Sequence, residues 1–233
     1  MSVPTKEPRP AMYAQSVTCP LCDHRFKTMK VRSRRATPQT IDSDFCPHYE
    51  AGGLNPNHYH ISVCPECGFA FSQDFTDDFP PQAKEEIRKQ ISAKWERRDF
   101  GRIRDLKQVI ESYKLAIYSA ALKGEKHAIQ GEICLRLAWL YREERSEEEV
   151  RFLRLALAQL EDSYRHSDFG GTPLSEMKVL YLAGELHRRL GQYPQAIAYF
   201  AKIAEHPNRS HERGILNLAR QQWRATAEAN RAQ

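Results

Sequence analysis

The sequence predicts an α+β protein that is mostly α: a small cysteine-bearing head followed by an array of about seven helices. Two observations predict it. All cysteines but one lie before residue 68, four of them in the paired segments CPLC at 19–22 and CPEC at 64–67. From about residue 82 onward, apolar residues recur every three or four positions, the period of an amphipathic helix. A chain of 233 residues has room for one small and one medium domain. The expected division is a mobile tail at 1–16, with Pro4, Pro8 and Pro10, a metal-binding domain at 17–80 and a helical domain at 81–233.

In the head, each C-x2-C turn aims two sulfurs at one point while the N–H groups of the turn soften the thiolate charge. Two such turns supply four soft ligands, so Cys19, Cys22, Cys64 and Cys67 are the expected ligands of one structural Zn2+ in a zinc-ribbon-like site. The 41 residues between the knuckles, 23 to 63, make a long loop. Closing it costs roughly 3 to 4 kcal/mol, against about 10 to 16 kcal/mol from a structural zinc site. Iron in a rubredoxin-like site, a thiol redox pair and a disulfide remain the alternatives, because ligand softness alone does not separate them.

Strand-like alternation follows the first knuckle, with Phe26, Thr28, Lys30, Arg32 and Arg34 set against Lys27, Met29, Val31 and Ser33; Tyr59, Ile61 and Val63 lead into the second in the same way. The insert between them, DSDFCPHYEAGGLNPNHYH, is rich in turn formers and is the hardest segment to read. It carries Cys46, expected as a buried small apolar residue, with a replacement ligand or an oxidisable thiol as alternatives. His48, His58 and His60 read as loop residues or outer donors to the metal ligands. His24, directly after the first knuckle, is the best candidate for such a donor. SQDFTDDFPPQ at 72–82 reads as a linker closing the head.

Helices are expected near 82–98, 103–123, 125–143, 147–166, 173–190, 194–206 and 210–230. Their stripes are Ile103, Leu106, Ile110, Tyr113 and Ile117; Ile129, Ile133, Leu137 and Leu140; and Val150, Leu153, Leu157, Leu160 and Tyr164. Gly124 and Gly191 mark two ends, Ser146 with Glu149 reads as a capping box, and Thr172 with Pro173 as an N-cap and first-turn pair.

Within the array, YLAGELHRRLGQYPQAIAYFAKIAEHP at 181–207 resembles a tetratricopeptide hairpin, with Gly184 and Ala196 expected where its two helices cross closely. Residues 134–157 repeat the scheme less faithfully, Leu137, Ala138 and Tyr141 corresponding to Ala183, Gly184 and His187. That resemblance implies a concave face lined by Leu135, Trp139, Arg142, Tyr181, Glu185, Arg188 and Arg189, residue types suited to gripping a protein partner. Taken together, the two knuckles, the DSDFCPHY and NPNHYH segments, RLAWLYRE at 136–143 and YLAGELHRRLGQYPQAIAYF at 181–200 resemble the bacterial domain-of-unknown-function family number 2225 across roughly 17 to 225. The resemblance implies a cytoplasmic protein with a zinc-ribbon-like head and a helical-repeat body, and it implies no activity.

Composition narrows the function classes. Mean hydropathy is −0.67 and 28% of residues are charged, so no segment is expected to span a membrane. The first 18 residues lack the apolar core of a secretion signal, which points to a reducing cytosol where paired cysteines bind metal. Net charge is only +5, and the one basic run, Arg25 to Arg35, is weak support for nucleic-acid binding. No Walker A loop, Gly-x-Ser-x-Gly elbow, HExxH or dinucleotide fingerprint occurs. The expected function is a non-enzymatic, zinc-stabilised adaptor presenting a helical groove to a protein. A nucleic-acid-associated or redox-sensing zinc module is the alternative.

Overall fold

The computed structural model describes residues 10–50 and 52–232. Strand β1 (Met12–Thr18) pairs antiparallel with β2 (Arg25–Val31), in a register running from Met12 opposite Val31 to Thr18 opposite Arg25. The alternating backbone of β2 needs a partner for its N–H and C=O groups, and the chain just before the first knuckle supplies it. The expected tail at 1–16 therefore ends before residue 12, and residues 1–9 lie outside the described ones. A second ribbon joins β3 (Thr40–Ile41) to β4 (Pro47–His48), and a third joins β5 (Ser62–Val63) to β6 (Ala70–Phe71). The first and third ribbons carry one knuckle each, at the hairpin loops 19–24 and 64–69.

Helix α1 (Ala83–Gln90) packs on the knuckles. Its Ile87, with Ile91 beyond it, joins Cys19, Leu21, Cys64, Cys67 and Phe69 in one apolar cluster, flanked by Phe26, Phe71, Phe75 and Phe79. The helix expected to reach residue 98 stops at Gln90 and gives way to a short 3-10 turn at Ser92–Lys94. Trp95 is the reason. Its Nε1 donates to the Pro65 carbonyl at 2.9 Å, and its ring covers Gly68 so closely that a Cβ there would lie 2.4 Å from Trp95 Cδ2. The chain then runs without helix as far as Asp105, burying Phe100, and leaves Ile103 73% exposed although the helical stripe placed it inside.

The remaining helices are α2 (Leu106–Lys123), α3 (His127–Glu143), α4 (Glu148–His166), α5 (Glu176–Arg189), α6 (Tyr193–Glu205) and α7 (Arg213–Arg231). A capping box of Asp105 and Gln108 starts α2, and Gly124 in the left-handed conformation, φ +69°, ends it. Two expected caps are replaced. Ser146 accepts from the Glu148 N–H without forming the box with Glu149. Ser175, not Thr172, caps α5 through the Lys178 N–H, because Thr172 is engaged within its own turn with Leu174.

Neighbours in sequence pack as neighbours in space: α3 on α4, α5 on α6, α6 on α7. Small residues set the closest approaches. A Cβ on Gly184 would stand 2.8 Å from Phe200, and one on Gly131 would stand 3.0 Å from Leu160. The main apolar cluster draws Val109, Tyr113, Ile133, Leu137, Tyr181 and Phe200 from the helices, and Cys46, Ile61, Val63 and Ala70 from the head. Residue 80 therefore does not divide the buried core.

Candidate metal centre

Both knuckles have the same build. The Cys19 N–H donates to His24 O at 2.9 Å and the Asp23 N–H to Cys19 O at 2.9 Å; the Cys64 N–H donates to Phe69 O and the Gly68 N–H to Cys64 O, each at 3.0 Å. The fifth residue of each, Asp23 at φ +60° and Gly68 at φ +73°, is left-handed. That conformation turns the chain back so that the second cysteine stands beside the first. An aspartate tolerates it, whereas position 68 needs glycine for its backbone and for Trp95 above it.

The hairpins bring the four sulfurs within 4.8 Å of one another. Cys19 Sγ lies 3.6 Å from Cys67 Sγ, and Cys22 Sγ lies 3.7 Å from Cys64 Sγ. A disulfide would need about 2.05 Å, while the edge of an S4 tetrahedron with 2.3 Å metal–sulfur bonds is about 3.8 Å. The spacing is that of ligands around a tetrahedral ion. The electrostatics agree. Hydrogen bonds from the Cys19 and Cys67 thiols push the Cys64 pKa far down, while the same contacts push those of Cys19 and Cys67 up. Four sulfurs this close together form a donor set that fits a divalent soft or borderline ion. Cys22 alone of the four is exposed.

His24 does not act as a donor to the sulfurs. Its ring lies parallel to Phe26 at 6.3 Å, and its Nε2 lies 4.0 Å from Glu66. Cys46 is fully buried in the main cluster, apart from the tetrathiolate, and burial pushes its thiol up to about 12. His48 Nε2 lies 3.0 Å from Asp42 Oδ1. In the basic run, Lys30, Arg32, Arg34 and Arg35 border an open cleft of about 900 Å³ together with Tyr13 and Tyr59.

The open partner groove expected between α3 and α5 is closed by the chain's own insert. The Asp44 carboxylate, 0% exposed, accepts from Arg142 Nη2 at 2.6 Å and from Trp139 Nε1 at 3.2 Å, with Arg189 Nη2 at 3.2 Å. Ser43 donates to Glu185 Oε1 at 2.6 Å, and its carbonyl accepts from the Tyr181 hydroxyl at 2.7 Å. Arg188 and Arg189 both clasp Glu185, and Phe45 packs on the Tyr181 ring at 5.3 Å. Trp139, Tyr181, Glu185 and Leu135 are buried.

A second clamp lies beside the first. Arg136 donates to Asn57 Oδ1, Tyr113 to Asn57 O, and Asn55 to Glu143. Arg104 donates to the carbonyls of Phe100 and Ile61 at 2.7 and 2.8 Å, tying the head to α2. Sequence reasoning missed Asp42, Asp44, Asn55 and Asn57 as partners of the helices. Their signal was charge complementarity, since arginines on otherwise apolar helix faces require an acid or carbonyl from elsewhere in the chain.

Two cysteine knuckles on hairpins, an acidic insert and a helical array thus form one constellation running from β1 to α7. The sequence profile of a family described as "Uncharacterized protein conserved in bacteria" (DUF2225) matches residues 12–226, which is that whole constellation. The chain belongs to this family. The chain is also similar to an "Uncharacterized protein" of Borreliella burgdorferi (strain ATCC 35210 / DSM 4680 / CIP 102532 / B31), 27% identical over 150 residues, covering 58% of this chain and 54% of the relative. The chain thus matches about half the length of that curated relative. No solved structure matches. Among the described residues, no helix is long and apolar enough to cross a membrane.

Proposed function

We propose that this DUF2225 protein is a non-enzymatic, zinc-stabilised cytoplasmic adaptor whose tetratricopeptide-like body and metal-bearing head act as one scaffold for a protein partner. The self-docked insert carries the reading: the Trp139, Arg142, Tyr181 and Glu185 surface grips the acidic hairpin turn Asp42–Ser43–Asp44–Phe45, as a groove that takes a protein loop would. Four thiolates leave a tetrahedral ion no open position for water, which makes its role structural. The partner surface is therefore the composite of head and body, and an empty groove is no part of the reading. Quantitative affinity capture from bacterial cytosol, comparing the whole chain with Cys22→Ser, tests it. A defined partner retained at comparable molar amounts by the native chain and lost with the metal supports the adaptor. Metal-dependent turnover of a substrate, or the absence of any such partner, sinks it.

A nucleic-acid reading rests on one specific observation, the basic cleft beside β2 in which the Arg32 guanidinium lies 4.6 Å from the Tyr13 ring. Titration with single-stranded RNA across a salt series decides between the two. Under this second reading, Arg34→Ala and Arg35→Ala each reduce the log–log salt slope by about 0.7, the increment for one single-strand phosphate contact. A flat salt response excludes it.

A further inference from the structure

We propose that Asp42, Cys46 and His48 form a second metal site, sharing no residue with the tetrathiolate, that takes a zinc-class divalent ion and leaves one coordination position open to solvent. The hairpin of β3 and β4 builds it. Thr40 faces His48 and Ile41 faces Pro47, and the next rung is the Asp42 N–H donating to Cys46 O at 2.9 Å. Residues opposite one another across an antiparallel pair share a face, as do residues two apart on one strand. Asp42, Cys46 and His48 therefore project from the same face of the ribbon. One donor atom from each lies within 4.8 Å of the others.

The distances suit an ion. The 3.0 Å between Asp42 Oδ1 and His48 Nε2 is close to the tetrahedral edge of about 3.3 Å that zinc–nitrogen and zinc–oxygen bond lengths imply, and a sulfur edge is only a few tenths longer. A thiolate, an imidazole and a carboxylate together suit zinc rather than calcium or magnesium, which prefer all-oxygen shells. The other carboxylate oxygen, Asp42 Oδ2, accepts from Arg142 Nη1 at 2.7 Å, and this bond fixes the acid's orientation with Oδ1 on the His48 side. The loop tip is held without the ion, by Asp44 in its arginine cradle and by Phe45 at φ +67° on Tyr181.

Charge favours occupancy. The Asp42 carboxylate lies within 4.8 Å of the Cys46 sulfur, and Asp44 Oδ1 accepts from the Cys46 N–H at 3.4 Å. Arg142 is itself engaged by Asp44 and Glu149, and Arg189 by Glu185 and Asp44. Cys46 is sealed from solvent, but the side chains of Asp42 and His48 are 32% and 38% exposed, giving an entry path and the open position.

The test is equilibrium dialysis of the full chain against buffered zinc, with metal counted by elemental analysis. The native chain is expected to hold two equivalents, one of them removed by a mild chelator. Cys46→Ser and His48→Gln should each hold one, with unchanged helical circular dichroism, while Cys22→Ser should lose the chelator-resistant equivalent. Cobalt substitution gives an independent readout, since the sulfur charge-transfer band of the weaker equivalent should vanish in Cys46→Ser. Saturation of the native chain at one equivalent, or retention of two by His48→Gln, overturns the proposal. His48 lies at the surface, so its variant carries the test even if Cys46→Ser fails to fold.

Discussion

Asp44 shows how one buried side chain joins two parts of a molecule. Its carboxylate takes donors from Arg142, Arg189 and Trp139 while fully enclosed. Asp44→Ala leaves those donors unpaired in a desolvated place and is expected to cost about 3 to 5 kcal/mol, the range for breaking a buried ion pair from one side. Urea unfolding measures it, and a loss below that of an ordinary surface change would show that the insert is not held by this contact. His60 gives a pH signature. Burial first, then the charges of Arg136 and Lys30, hold its pKa well below the ordinary 6.5, so the folded chain keeps it neutral where the unfolded chain protonates it. Its contribution is complete above pH 6.5 and declines as pH falls from there toward the folded value, by up to about 1.4 kcal/mol per pH unit. His60→Gln should flatten the stability profile below pH 6.5 relative to the native chain. An identical slope in the variant would place the acid sensitivity elsewhere.

Elements were legible in the sequence wherever local periodicity decided them. The stripes from Leu106 to Tyr164 gave α2 to α4, the tetratricopeptide-like segment gave α5 and α6, each within a few residues, and the two knuckles gave the four sulfurs, because these signals are short-range and repeat. The insert and residues 91–105 were opaque for the opposite reason: Trp95, Arg104, Asp44 and Asn57 find their partners dozens of positions away. That Trp139, Arg142, Tyr181 and Glu185 share one surface could be read from the helices, but not that residues 42–45 would cover it. Gly184 tests the part that was readable. An alanine there gains about 1 kcal/mol of helix propensity, but its Cβ would press on the Phe200 ring, 2.8 Å away, and overpacking of this kind costs about 1 to 3 kcal/mol. Gly184→Ala is expected to destabilise the native chain and to become neutral or stabilising when combined with Phe200→Leu. Gly191→Ala, at φ +74° with nothing within 4 Å, should cost about 1 kcal/mol whatever residue stands at 200. Equal coupling of both glycines to Phe200 would mean that helix crossing is not what position 184 serves.

At the scale of the molecule, the question is whether metal and helices stand or fall together. Helices with their own apolar stripes would on that ground alone outlast the head. The core argues for a stronger bond. Cys46, Ile61, Val63 and Ala70 lie in the same cluster as Tyr113, Leu137 and Tyr181, while Arg104, Arg136 and Arg142 each donate to groups of the head. Releasing the knuckles removes part of that core and leaves those guanidiniums short of partners on α3 and before α2. The native protein should therefore melt in one transition. Removal of the tetrathiolate ion, by strong chelation or by Cys22→Ser, should weaken the whole fold by about 5 kcal/mol or more, a Tm shift of roughly 10 to 20 °C for a chain of this size. Circular dichroism at helical wavelengths reads it, because the signal comes from helices that touch no metal. Two separate transitions, with the helical one unmoved by chelation, would show head and body to be independent units and leave the clamps at Asp44 and Asn57 without energetic weight.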